Sequence, residues 1–229
     1  MSGTVLEGEY QVGTNDTATL VTSSWKGGAG SVVARLSNEI GTEVARTALT
    51  ADGKFSLTLP RPTDAQLTAL DPGDLGDPAE ASCQGTVTVS DRAARGTGLV
   101  LSVDADQDGL INPETGTSSV NGDIVVGTSA SGALIYVDRA VTIKGTQTCT
   151  DSGLAVTSDV NMPLSQGWNK VTVTTRLEIN LQTESVKGTF TIRSGSFPTD
   201  NWIYVKENSA APLSVQRLNT LKRSFSLFR

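Results

Sequence analysis

Histidine is missing from all 229 residues. That removes the commonest metal ligand and the only side chain whose unperturbed pKa lies near neutrality, and with it Ser-His-Asp and Cys-His nucleophilic chemistry. No apolar run approaches the roughly 18 residues a membrane helix needs, so no membrane span is expected. Charge is sparse and tilted to one sign, with 18 basic against 24 acidic side chains. With a pI near 4.7 the chain lacks the basic face that displaces counterions, and no nucleic-acid partner is expected. Aromatic residues make up only 5% of the chain. A stacking surface for sugars would therefore depend on Trp25, Trp168 and Trp202 with Tyr136 and Tyr204, whose alternative use is core packing.

Thr (30), Val (22) and Ile (8) are abundant instead, side chains suited to a pleated, half-buried surface. A composition of 37% hydrophobic and 18% charged residues is too apolar for disorder. An all-β chain follows. Length admits one large β fold or two small domains, and the charge divides unevenly. Residues 1–118 carry 16 acids and 7 bases, residues 119–229 carry 8 acids and 11 bases. The expected organisation is two packed β-sandwich-like halves, 1–118 and 119–211, with one short internal helix and a basic tail helix over 212–229.

Only two cysteines occur, Cys83 and Cys149, neither in a Cys-x-x-Cys pair. A zinc site or thioredoxin-like motif is thereby disfavoured. Two buried thiols are one reading; an even count in a Thr-, Ser- and Gly-rich β protein favours a disulfide and an oxidising compartment. Such a bridge would stabilise by roughly 4 kcal/mol in the loop-entropy model. The start Met1-Ser2-Gly3-Thr4 has no charged and apolar leader. It reads either as a cytoplasmic start or, the favoured reading, as a mature exported form similar to a lipoprotein whose lipidated cysteine is replaced by methionine, so a lipid anchor is expected in the precursor.

Strands are expected at 4–12, 18–23, 31–36, 43–49, 54–59, 85–90, 97–103, 123–126, 133–138, 141–147, 154–160, 170–179, 185–193 and 202–205. Asp52-Gly53 between alternating segments marks a hairpin, after which Phe55, Leu57 and Leu59 share a face. Thr63 and Gln66 have capping-box spacing ahead of Leu67 and Leu70, predicting the short helix. Residues 71–82 read as a Gly- and Pro-rich loop. Gly27-Gly28-Ala29-Gly30 lacks the Lys-Ser/Thr of a phosphate loop and reads as a turn. In 171–176, Val and Thr alternate for five residues and then the pattern breaks, leaving a threonine-bearing face. Leu218, Leu221, Phe225 and Phe228 recur at helical spacing among basic residues, the pattern of an amphipathic tail helix that caps the fold, with docking on a membrane surface or an acidic partner, and disorder, as the alternatives.

The sharpest motif is Asp104-Ala105-Asp106-Gln107-Asp108-Gly109-Leu110. Carboxylates at alternate positions followed by Gly match the first half of a calcium loop, with Asp104, Asp106 and Asp108 as side-chain ligands and the Leu110 carbonyl next. Asn112 takes the ninth position. The twelfth is Thr115, one residue beyond Glu114, so the match is half complete; an acidic turn is the alternative. Glu178, Glu184, Asp138 and Asp159 are isolated carboxylates with no glycosidase-like pairing in sequence.

Ala48-Leu49-Thr50-Ala51-Asp52-Gly53-Lys54-Phe55-Ser56-Leu57 resembles the hairpin of transthyretin-like and carboxypeptidase-regulatory-type β-sandwich modules. Leu134-Ile135-Tyr136-Val137-Asp138-Arg139-Ala140-Val141, Gly145-Thr146 and Leu164-Ser165-Gln166-Gly167-Trp168-Asn169 are similar to uncharacterised exported lipoproteins of bacterial envelopes. The resemblance implies an extracytoplasmic location and assigns no activity. The expected role is a non-enzymatic structural or binding module of the cell envelope, with calcium as cofactor and an envelope protein or surface glycan as partner. The alternatives are a carbohydrate-binding module and a subunit of a surface layer or filament.

Overall fold

The computed structural model describes residues 1–14, 16–37, 42–70, 82–151 and 153–205. Strand is their dominant secondary structure, as the Thr, Val and Ile content leads one to expect. The first region holds β1 (Ser2–Val12), β2 (Thr17–Ser24), β3 (Gly30–Leu36), β4 (Glu43–Leu49), β5 (Lys54–Ser56), β6 (Thr68–Ala69), β7 (Ser82–Val89) and β8 (Arg95–Asp104). Then come β9 (Asp108–Asn112), β10 (Glu114–Asn121), β11 (Ile124–Val137), β12 (Val141–Asp151), β13 (Leu154–Leu164), β14 (Gly167–Asn180), β15 (Ser185–Ser194) and β16 (Trp202–Val205). The expected tail helix, 212–229, lies outside the described residues, as does most of the 71–82 loop.

All sixteen strands belong to one hydrogen-bonded sheet, whereas the sequence leads to two packed sandwich-like halves. Strands cross the expected 118/119 boundary in both directions, and the boundary itself falls within β10. From the first region, β7 pairs with β12; from the second, β16 pairs with both β1 and β9. β8 joins the two parts. Its Gly96–Leu99 stretch pairs with Leu134–Val137 of β11, and its Leu101–Asp104 stretch pairs with β9.

The pairings β1–β16–β9–β8–β3–β4–β5–β1 form a closed circuit. Period-two alternation sends Val32, Ala34 and Leu36 of β3, and Leu99, Leu101 and Val103 of β8, into one core with Val5, Ile111 and Trp202. From β11 the sheet continues through β14, β15, β13 and β12 to β7. A second core forms there from Ile135, Val137, Ile143, Val160, Met162, Val171 and Ile192 among others.

Local chemistry accounts for the turns. Gly53 adopts φ +81°, and the Thr50 hydroxyl both donates to Asp52 Oδ1 (2.6 Å) and accepts the Lys54 N–H (2.8 Å), closing the expected hairpin. Phe55 and Leu57 are buried as their spacing requires. The predicted short helix shrinks to a 3₁₀ turn, Asp64–Gln66, in which Gln66 Oε1 accepts the Thr63 N–H at 2.9 Å. Leu67 is already extended, because the chain is drawn into β6 beside β8 and the Arg95 guanidinium binds the carbonyls of Asp64 and Leu67.

Candidate functional site

The acidic motif closes the β8–β9 hairpin. Asp104 and Asp108 face one another across its mouth, and Ala105-Asp106-Gln107 form the connection. Beyond Asp108 the chain is strand rather than loop. Gly109 pairs with Val103, and a Cβ there would stand 2.9 Å from the Tyr204 ring, so this glycine makes room for an aromatic neighbour. Ile111 is fully buried, Leu110 points outward at 57% exposure, and Asn112 pairs with Ile203. At about 3.3 Å per residue, Asn112 lies roughly 13 Å along the strand from Asp108. Glu114 follows on β10, opposite Ser131.

The hairpin therefore brings Asp104, Asp106 and Asp108 to one end and carries Leu110, Asn112 and Glu114 away from it. The six residues expected to share a calcium ion are not gathered into one shell. Among the described residues no group of three or more Asp, Glu, Cys or His side chains is arranged to hold a metal ion. Asp104 is instead engaged by Arg46, whose Nη1 donates to Asp104 Oδ2 at 2.8 Å while its Nε and Nη2 bind both oxygens of Glu43 at 2.9 Å. The hydrogen bond from Arg46 holds the Glu43 carboxyl below its ordinary range, and the two carboxylates raise Arg46 in turn.

Sequence reasoning missed a polar network that seals this end of the closed circuit. Glu7 Oε1 accepts the Lys26 N–H (3.0 Å) and Gln107 Nε2 (2.9 Å), and the Asp106 N–H donates to the Gly27 carbonyl (3.1 Å). Trp25 Nε1 donates to the Gly28 carbonyl at 2.7 Å, which makes Gly27–Gly30 the turn that its lack of a phosphate signature implied. The Trp25 ring meets Tyr204 edge to face at 5.6 Å, and the Tyr204 hydroxyl donates to the Asp108 carbonyl. Glu7 carries no local sequence signal, because its partners lie 19 and 100 residues away.

Every described aromatic residue is buried or half-buried. Trp25 and Trp202 belong to the first core; Trp168 is half-buried, stacked edgewise on Tyr136 and donating Nε1 to the Pro60 carbonyl at 2.9 Å. The isolated carboxylates serve individually. Asp159 pairs with Arg193 at 2.6 Å, and Glu178 stands opposite Lys187 on β15. Asp138 accepts the Arg95 N–H at 2.9 Å and pairs with Arg139 at 3.2 Å. Burial pushes its carboxyl up, but those hydrogen bonds and charges outweigh burial and hold it below its ordinary range. A shallow, open groove of about 440 Å³ runs where β12, β13 and β15 end, lined by Thr150, Asp151, Leu154, Ser185 and Lys187.

Cys83 and Cys149 are direct register partners on β7 and β12 and form a disulfide across 66 residues. On the inner face of the second lobe, Ser129 of β11 stands opposite Thr175 of β14. Both hydroxyls are buried without a hydrogen-bond partner. Comparison with known protein families, curated proteins and solved structures yields no match to this chain.

Proposed function

We propose that the chain is a non-enzymatic structural or binding module of a bacterial cell envelope, working outside the cytoplasm. The observation that carries the proposal is the Cys83–Cys149 bridge between facing strands. A cross-strand disulfide persists in an oxidising compartment and is kept reduced in most cytosols. Supporting it, Asp104, Asp138 and Asp159 serve as partners of Arg46, Arg95 and Arg139, and Arg193, which is how carboxylates act in a scaffold. An envelope protein or a surface glycan is the proposed partner, and a lipid anchor on the precursor belongs to the same reading. A carbohydrate site built on exposed tryptophans draws no support from the burial of Trp25 and Trp202. Mass spectrometry of unreduced native material tests the compartment: a mass two hydrogens lighter than the dithiol supports it, and two free thiols overturn it.

Calcium enters this proposal as a ligand at the hairpin mouth, where Asp104 and Asp108 are register partners. A ligand selective for the folded state raises Tm. Titrating chelator-treated protein with calcium decides the matter: an unmoved Tm, or an equal shift in Asp104→Ala, removes calcium.

A further inference from the structure

The outermost strand of the second lobe is held differently from its neighbours. Among the described residues β7 pairs with β12 alone, and five of its eight residues are exposed. Val87 is its one buried residue in the second core, with Val89 packed at the margin. β12, by contrast, is anchored on its other side by eleven register pairs to β13 and inserts Val141 and Ile143 into the core. β7 and β12 each carry a glycine at positive φ, Gly85 at +90° and Gly145 at +143°. A Cβ at Gly85 would lie 2.2 Å from the Thr146 carbonyl oxygen, and one at Gly145 would lie 2.1 Å from that of Thr86, so neither position accepts a side chain in this register. Apart from its eight register pairs with β12 and the hydroxyl bonds of Thr88 and Thr150, β7 gains one buried valine for ordering eight residues at a sheet edge, which places it toward the low-stability end of the fold. Only the disulfide ties β7 to β12 covalently, and Cys83 is half-buried at the open edge.

We propose that Cys83–Cys149 is a redox-operated clamp on β7, and that its reduction releases residues 82–89 from β12 while the remaining sheet stays folded. The reductant is a dithiol. It transfers two electrons and two protons, closing to its own cyclic disulfide as the Cys83–Cys149 bond breaks and both cysteines become thiols. Release bares the backbone donors and acceptors along one edge of β12, converting a covered edge into a pairing template. The device is independent of what the module binds.

Hydrogen exchange read by mass spectrometry tests the clamp on three samples of the full chain: oxidised, reduced by dithiothreitol in native buffer, and Cys83→Ser. Thiol alkylation confirms complete reduction. Peptides covering 82–89 and β12 are expected to exchange at least about tenfold faster in the reduced protein, with β14 far less affected. Unchanged protection of 82–89 after complete reduction overturns the proposal. So does an equal loss of protection in β14, which would make the bridge a global stabiliser. The reduced wild type keeps the test decisive even if Cys83→Ser fails to fold.

Discussion

Thr175 is fully buried on β14. Val171, Thr175, Leu177 and Ile179 all face inward, Arg176 faces out, and the threonine occupies a core position opposite Ser129. Its hydroxyl has no partner there, and an unsatisfied buried polar group costs about 1–3 kcal/mol. Thr175→Val should therefore stabilise the fold by about 1 kcal/mol, read as a raised midpoint in urea at unchanged slope. Asp138 is the complementary case, a polar group whose position is well satisfied. Its carboxyl is held below its unfolded value, so the stability it contributes is present above the ordinary aspartate pKa, about 4, and is lost as pH falls through the folded value. The stability gap between wild type and Asp138→Asn should thus be widest near neutrality and narrow on acidification. A gap constant from pH 7 to pH 2 would show that the charge contributes nothing.

Among the elements, β9 decides between a strand and a metal loop. In a strand, Ile111 carries core weight while the outward Leu110 does not. Ile111→Ala should cost about 2–5 kcal/mol, whereas Leu110→Ala should stay within about 0.5 kcal/mol, both measured by chemical denaturation. Most strands were legible because branched residues alternate within Gly-, Asn- and Asp-bounded segments, and the Asp52-Gly53 turn was legible because it needs positive φ. β9 and β10 were not. The carboxylates of 104–108 read as loop chemistry, and only Ile111 among the next residues signals a buried face. β11 was read as two pieces because its middle, Gly127-Thr128-Ser129-Ala130-Ser131-Gly132, is small and weakly apolar. Fourteen register pairs with β14 hold it straight regardless. Of the candidate site, the residues were legible and their grouping was not, since Arg46 and Glu7 reach the hairpin from distant strands.

At the scale of the molecule, the two core clusters occupy one continuous sheet, joined where β8 passes from β9 to β11. Independent halves would melt independently. The shared strands instead predict a single thermal transition in the oxidised protein. Tryptophan fluorescence, which reports Trp25 and Trp202 in the first core, should coincide with strand loss followed by far-ultraviolet circular dichroism. Two resolved midpoints would restore a two-domain description. Charge asymmetry suggested that division in sequence, but side-chain charge reports the surroundings of a surface and not which backbones pair beneath it.

β16 has a consequence for how the chain is made. It lies parallel to β1 and also pairs with β9, so the first circuit is closed by four residues that emerge after every other described strand. During synthesis, the stretch of β1 that takes β16 waits with that edge open until Trp202 arrives. Completion of the first core is therefore a late, vectorially delayed event, and a chaperone that shields β1 in the interval would act on the species most exposed to mispairing.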